Sequence, residues 1–171
     1  VVKIPDLARY SFLISALYPG LPTVFNVRHP VCNIASIIGP NRDRGWSFEQ
    51  IINWYRCFFP VDIINRSRPG VLFTRYEDLI LYDRTKTLRK ILETLGLEIT
   101  DLSLNESFEY PNKKVMYKTK GKIDAGRLIS SLQDLTPLQL LQALERTIDI
   151  QDVFYSELSL MKIIQDVGAN Q

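Results

Sequence analysis

Two residues near the start of the chain, Arg28 and Ser36, are of types that bind phosphate groups. The guanidinium of an arginine is a planar fork that matches two phosphate oxygens, and a serine hydroxyl can donate one further hydrogen bond. The mostly apolar run Thr23–Val27 is typical of a β-strand, and Pro30 suits the first position of a helix. We therefore predict a strand, a tight turn and a helix, with Arg28 at the carboxyl end of the strand.

This placement predicts an anion-binding site. Ligands of open α/β sheets bind at the carboxyl ends of the strands, and the N-terminus of a helix attracts negative charge. Ser36 follows the turn by two helical turns, so that it and Arg28 could reach one phosphate group. Gly39 and Pro40 are expected to end the helix.

Four segments of the chain resemble a known family. The Arg28–Ser36 segment, with its internal proline, resembles the 3′-phosphate-binding strand-turn-helix of sulfotransferases that use 3′-phosphoadenosine 5′-phosphosulfate. Phe73–Leu79 resembles the Arg-Tyr-Glu-Asp-Leu segment of that family, and Leu95–Leu97 resembles its usual continuation after a helix. Val2–Pro5 resembles the Lys-Thr-Pro element of the bacterial and tyrosylprotein-type branches.

The resemblance implies a fold and a reaction. The fold is a three-layer α/β domain, similar to P-loop NTPases, with a mainly parallel sheet. The reaction is transfer of a sulfuryl group from 3′-phosphoadenosine 5′-phosphosulfate, without a metal ion, to a hydroxyl or amine of a small-molecule, carbohydrate or peptide acceptor. The glycine-rich loop for the 5′-phosphosulfate does not occur in residues 1–171. We therefore expect a single domain over residues 1–171 that is the C-terminal portion of a full sulfotransferase domain.

The resemblance also implies roles for individual residues. Lys3 would lie near the sulfuryl bridge or the acceptor and take part in catalysis. The residues that it assigns to the nucleotide are Arg28 and Ser36 for the 3′-phosphate, Tyr76 for the nucleoside, and Lys120 with Gly121 for a basic segment that closes the site. Each has a structural alternative: Arg28 in an ion pair, Ser36 as a small helix residue, Tyr76 packed beneath a loop, and 118–122 as a solvated basic loop.

Three other polar residues at these motifs are interpreted as structural. Glu77 and Asp78 are negatively charged and therefore poor ligands for a phosphate, so we expect them to orient a basic residue or to cap a segment. His29 is the single histidine and stands where the family usually has an acidic residue. We do not assign it the role of catalytic base, because the family's base comes from elsewhere, often upstream of the Lys-x-Pro element.

Composition excludes several other functions. The chain has 21 Lys and Arg against 19 Asp and Glu, a balance that does not indicate a general nucleic-acid-binding surface. Two cysteines and one histidine cannot form a zinc site, and no apolar run reaches the roughly 20 residues of a membrane span. Both cysteines are predicted to be buried free thiols, which favours a cytoplasmic location; the Golgi lumen is the alternative if an N-terminal anchor has been removed.

Periodicity and capping signals predict further helices. Ser47 with Gln50 forms a capping-box pattern, and Trp46, Trp54, Tyr55, Phe58 and Phe59 form a dense aromatic cluster that we expect to pack in the core, with the wall of an acceptor pocket as the alternative. Four other helices are predicted: one from Pro5 to just before Pro19–Gly20, one from just after Asp83 to Gly96, one that starts at Thr136–Pro137, and one from Asp149 to Ile164. Val1–Lys3 and Val71–Arg75 are predicted strands, and residues 101–117 are predicted to form a long loop.

Two alternative functions remain open from the residues. A non-catalytic nucleotide-binding or scaffolding relative would lack the glycine-rich loop altogether. A P-loop kinase-like enzyme would need a Walker-type lysine and a carboxylate that binds magnesium, and the spacing from Arg28 to Ser36 argues against it.

Overall fold

The computed structural model describes residues 11–42, 44–57, 68–99 and 126–169. They form a mixed α/β structure that is mostly helical and contains a small parallel sheet. The elements are α1 Ser11–Leu17, β1 Thr23–Val27, α2 Pro30–Arg42, α3 Phe48–Arg56, β2 Val71–Arg75, a π-helical turn Asp78–Tyr82, α4 Arg84–Leu95, α5 Gly126–Ile129, a 3₁₀ turn Ser130–Asp134, α6 Pro137–Arg146, α7 Ile148–Phe154 and α8 Leu160–Ala169.

The two strands pair in parallel, as predicted for Val71–Arg75. Their register runs from Thr23 opposite Val71 to Val27 opposite Arg75, so that both strands end at the same edge. Phe25 and Phe73 are partners in this register, and their rings stack with centroids 4.9 Å apart. Aromatic and β-branched residues favour such pairing because their side chains pack well across a pleated surface. The additional strand predicted at Val1–Lys3 lies outside the described residues.

The capping signals predicted from the sequence are confirmed. Ser47 and Gln50 exchange both bonds of a capping box at the start of α3, and Asp83 accepts a bond from the amide of Lys86 at the start of α4. Gly96 ends α4 in the left-handed conformation, with φ of 65°. Thr136 caps α6, in which Pro137 is the first residue.

Three local predictions are wrong. Helix α2 does not stop at Gly39 but continues to Arg42, since the proline at position 40 removes a single backbone donor near the end of the helix. The final helix is divided, because α7 ends at Phe154 and α8 begins at Leu160. Cys32 is a buried free thiol as expected, whereas the free thiol of Cys57 is exposed at the C-terminus of α3.

Helix α2 occupies the centre of the core. Val31, Ile34 and Ala35 are fully buried, and α2 packs against α3, α6 and the 3₁₀ turn, while α4 packs against both strands. Most of the remaining core side chains come from α3, from the last three helices and from the segment between α7 and α8, chiefly Ile51, Ile52, Tyr55, Ala143, Ile150, Leu158, Ile163 and Val167. The β1–α2 turn is thus anchored by the most deeply buried helix.

Charged side chains connect α3 to α6 and α7 at the surface. The guanidinium of Arg56 donates two hydrogen bonds to the carboxylate of Asp149, at 2.9 and 3.0 Å. Arg146 donates to Glu49 and, at 2.8 Å, to the side-chain oxygen of Asn53. Exposed ion pairs contribute little free energy individually, so their main effect is to fix how the helices align. None of the described helices combines the length and the apolar character needed to cross a membrane.

Two isoleucines of α7 provide a matched test of the core. Ile150 has 1% of its surface exposed and Ile148 has 57%. We expect Ile150→Ala to lower the free energy of unfolding by about 2 to 5 kcal/mol, because it removes buried methyl groups and leaves a cavity. Ile148→Ala should change it by less than about 1 kcal/mol. Urea unfolding measures both values, and equal effects of the two substitutions would contradict the packing of α7 described above.

Candidate functional site

The register of the sheet brings two of the sequence motifs together. Val27 is opposite Arg75, so the next residues along each strand, Arg28 and Tyr76, are neighbours at the carboxyl edge. The central guanidinium carbon of Arg28 lies 5.7 Å from the centroid of the Tyr76 ring, which is a cation–π contact. Two residues assigned to the nucleotide by separate motifs are therefore in contact.

The first two turns of α2 leave one face accessible. Pro30, Val31, Cys32, Ile34 and Ala35 are buried, whereas the intervening polar positions 33 and 36 are partly exposed. Residues at a spacing of three share a helix face, so Asn33 and Ser36 together form the polar part of this accessible surface. Asn33 was not predicted as a site residue, although a polar residue three positions before Ser36 in an apolar helix is a recognisable signal.

Ser36 points its hydroxyl at its own helix. The Oγ atom donates to the carbonyl oxygen of Asn33 at 2.7 Å. A serine hydroxyl has one proton, so Ser36 can donate to a phosphate only after its side chain or hydroxyl rotates away from this carbonyl. The bond is therefore the resting arrangement of a side chain that a bound anion would redirect.

The acidic residues of the second motif bind within the protein. Asp78 accepts two bonds from the Arg75 guanidinium, both at 2.9 Å, in the two-pronged geometry that favours arginine–carboxylate pairs. Glu77 is fully buried, and its Oε1 atom accepts a bond of 2.9 Å from the backbone amide of His29 just before α2. These contacts agree with the expectation that Asp78 orients a basic residue and that Glu77 caps a segment.

Tyr155 is a second residue of this site that was not predicted from the sequence. Its hydroxyl lies 2.8 Å from Oε2 of Glu77 and 2.9 Å from the carbonyl oxygen of Val27. It also contacts the edge of the His29 ring, with centroids 4.9 Å apart. No local pattern predicts these contacts, because Tyr155 follows α7 and lies more than a hundred residues after Val27 in the chain.

Burial changes the acid–base properties of the groups around the turn. Burial disfavours the charged form of a group, so it raises the pKa of the Cys32 thiol to about 12 and lowers the pKa of His29 to about 4. It also raises the pKa of Glu77, against the opposing effects of the bond from the His29 amide and of the Tyr155 hydroxyl. Cys32 is therefore a protonated thiol, and His29 is a neutral imidazole at neutral pH.

The structure does not place the other predicted site residues. Lys3, Lys120 and Gly121 lie outside the described residues, as does the whole of the predicted loop over residues 101–117.

The described part of the aromatic cluster is divided between core and surface, whereas Phe58 and Phe59 lie outside the described residues. Tyr55 is buried, as the packing interpretation predicts, but Trp46 and Trp54 are each 38% exposed and meet edge to face with centroids 6.1 Å apart. An open cleft of about 310 Å³ lies beside Trp46, and its lining residues are Ile38, Trp46, Phe48, Ile51, Asp134, Thr136 and Gln139. Trp46 therefore lines a cleft, and its interpretation as the wall of an acceptor pocket stays a prediction.

Comparisons of the chain with family models, with curated proteins and with solved structures give no match. A functional conclusion therefore depends on the residues and geometry of the site at the ends of β1 and β2.

The depressed pKa of His29 predicts how stability depends on pH. The unfolded chain gains a proton on His29 as the pH falls below about 6.5, whereas the folded chain resists protonation down to about pH 4. The free energy of unfolding should therefore fall by about 3 kcal/mol from this residue as the pH drops from 6.5 to 4. Neither ring nitrogen has a hydrogen-bond partner among the described residues, so His29→Leu should remove this dependence.

The measurement is denaturant unfolding of the wild type and His29→Leu at several pH values. Subtracting the two curves isolates the contribution of His29 from groups that titrate in both proteins. A difference that stays constant between pH 6.5 and 4 would contradict the buried, neutral state of the imidazole.

Proposed function

We propose that this chain is the 3′-phosphate-binding part of a sulfotransferase that uses 3′-phosphoadenosine 5′-phosphosulfate. In this proposal the two described strands belong to a larger, mainly parallel sheet of a three-layer domain similar to P-loop NTPases. The reaction is sulfuryl transfer to a hydroxyl or amine acceptor. The proposal combines the resemblance of the sequence motifs with the geometry of the turn that they form.

The observation that carries the proposal is the contact between Arg28 and Tyr76 at the carboxyl edge of the parallel strands. The two residues belong to motifs separated by almost fifty positions, and the resemblance assigns both of them to the same nucleotide. The sheet register places them side by side next to the N-terminus of α2. This edge, beside a helix N-terminus, is where α/β sheets bind anionic ligands.

The residues present fit a phosphate group. The guanidinium of Arg28 can donate two parallel hydrogen bonds, and its contact with the Tyr76 ring restricts the orientation of its plane. Ser36, on the accessible face of α2, can add a third donor once its hydroxyl leaves the carbonyl of Asn33. Tyr76 offers an aromatic surface that a nucleoside base could contact.

The acidic side chains near Arg28 are arranged so that they do not repel an anion bound there. Asp78 is paired with Arg75 through two hydrogen bonds, and Glu77 is buried beneath the turn. A phosphate beside Arg28 would therefore meet few exposed carboxylates of the described residues. This arrangement favours an anionic ligand over a cationic one.

The sulfuryl donor, when bound, supplies an activated sulfuryl group whose leaving group is a phosphate. The chain's own contribution in this proposal is to bind and orient the nucleotide end of that donor. Lys3 is proposed to lie near the sulfuryl bridge, and Lys120 with Gly121 to close over the 3′-phosphate. The cleft beside Trp46 is a candidate for part of the acceptor site.

Calorimetric titration with adenosine 3′,5′-bisphosphate tests the proposal directly. We expect the bisphosphate to bind more tightly than 5′-AMP, because only the bisphosphate carries the 3′-phosphate that Arg28 would hold. Arg28→Ala should weaken bisphosphate binding by roughly 1.5 to 3 kcal/mol, the range for a hydrogen bond to a charged group. Arg28→Lys should recover only part of that loss, since lysine keeps the charge but not the fork.

The matched control is Arg89→Ala, which removes an exposed arginine of α4 and the same formal charge. Its bisphosphate affinity should equal that of the wild type. Binding that does not distinguish bisphosphate from 5′-AMP, or an Arg28→Ala variant that binds as well as Arg89→Ala, would refute the assignment of the 3′-phosphate to Arg28.

A further inference from the structure

Three oxygen atoms form a buried chain beneath the β1–α2 turn. The hydroxyl oxygen of Tyr155 lies 2.8 Å from Oε2 of Glu77 and 2.9 Å from the carbonyl oxygen of Val27. Both separations are hydrogen-bond distances, and an oxygen pair this close without a proton between the atoms is repulsive. A phenol has one proton and can direct it at only one of its two neighbours.

The two contacts of the Tyr155 hydroxyl need two protons, and the phenol supplies one of them. A backbone carbonyl such as that of Val27 carries no proton, so the proton in the other contact belongs to the carboxyl of Glu77. We propose that Glu77 is a neutral carboxylic acid in the folded chain at neutral pH, donating to Tyr155, which in turn donates to Val27. The Oε1 atom of Glu77 remains an acceptor for the amide of His29, at 2.9 Å.

With these protons, each of the three oxygen atoms of Glu77, Tyr155 and Val27 has a hydrogen-bond partner. Glu77 has none of its surface exposed and Tyr155 has 4%, so solvent does not supply a substitute. An ionised carboxylate at this depth would lose its hydration, whereas the neutral acid loses much less. Burial accordingly raises the pKa of Glu77.

The charged surroundings of Glu77 do not overturn this balance. Arg28 favours the ionised form, but it lies at the edge of the sheet and is partly exposed. Arg75 also favours the ionised form of Glu77, but its guanidinium is paired with Asp78. Among the described residues, the titratable groups that contact Glu77 or interact with its charge are Arg28, His29, Cys32, Arg75, Tyr82 and Tyr155.

A neutral Glu77 acts as a positioning residue for the turn. It holds the His29 amide and, through Tyr155, the Val27 carbonyl, which are the backbone groups on either side of Arg28. It does so without placing a negative charge beside the Arg28 guanidinium. That consequence for anion binding rests on the proposed function, whereas the protonation state of Glu77 does not.

Infrared difference spectroscopy on the ligand-free chain at neutral pH tests the proposal. The wild-type spectrum minus that of Glu77→Gln should contain the carbonyl band of a protonated carboxylic acid and no carboxylate bands. The control Glu157→Gln, which changes an exposed glutamate, should show the loss of carboxylate bands alone. Carboxylate bands in the Glu77 difference spectrum would overturn the proposal.

The pH dependence of thermal unfolding gives a second test, because the neutral acid and the carboxylate predict different slopes above pH 4.5. The pKa of Glu77 is higher in the folded chain than its value of 4.5 in the unfolded chain, so this group stabilises the fold. The stabilisation is complete below pH 4.5 and is lost as the pH rises to the pKa of the folded chain. The Tm of the wild type relative to Glu77→Gln should therefore decrease as the pH rises above 4.5. A Tm difference that stays constant between about pH 5.5 and 7 would show that Glu77 is already a carboxylate in the folded chain, and it would overturn the proposal.

A further variant keeps the test decisive if Glu77→Gln does not fold. Tyr155→Phe removes the acceptor of the Glu77 proton, so the acid band should move to higher frequency relative to the wild type. An unchanged infrared spectrum in the carboxylic acid region would overturn the proposal. A chain that shows the acid band but does not bind adenosine 3′,5′-bisphosphate retains the neutral Glu77 and loses the proposed function.

Discussion

The buried carboxyl of Glu77 joins three segments that are distant in the chain. It contacts the backbone amide of His29 before α2 and the hydroxyl of Tyr155 after α7, while its own backbone continues from β2. In a site without solvent, a broken bond of this kind leaves a buried polar atom unpaired, at a cost of about 1 to 3 kcal/mol. The three segments therefore order together, and the conformation of the β1–α2 turn depends on them.

This constraint links the partly exposed side chain of Arg28 to the buried carboxyl of Glu77. Arg28 lies between Val27, whose carbonyl is near the Tyr155 hydroxyl, and His29, whose amide is bonded to Glu77. The backbone on both sides of Arg28 is thus held by side chains from other elements. A guanidinium carried by such a turn loses less conformational freedom when it binds an anion, which is the general advantage of a preorganised site.

Local signals in the sequence predicted much of the fold. Pro30, the capping pairs and Gly96 act through the backbone within one turn, so they determine helix ends almost independently of the rest of the chain. The division of the last helix near Tyr155 and the exposure of Cys57 depend on tertiary packing instead. A tyrosine that ends a helix in order to reach a strand carbonyl has no distinguishing pattern in its neighbours, and this is why the sequence did not indicate it.

The candidate site could be predicted as two motifs but not as one arrangement. The sequence indicated Arg28 and Tyr76 separately, and only the register of the strands shows that they are neighbours. The same register puts His29 next to Glu77, and the hydrogen bond between them continues the pairing beyond the strands.

The dependence on register has a direct electrostatic consequence. A slip of one residue exchanges the neighbours of every side chain in a strand pair. It would move Arg28 from the aromatic ring of Tyr76 towards the carboxyl of Glu77, and ionisation of that carboxyl beside the guanidinium would cancel the positive charge at the edge of the sheet. The stacked pair of Phe25 and Phe73 and the bond from His29 to Glu77 both oppose that slip, one within the strands and one beyond them. The contacts that stabilise the sheet are therefore also those that keep the Arg28 guanidinium beside the ring of Tyr76 and Glu77 in its buried position.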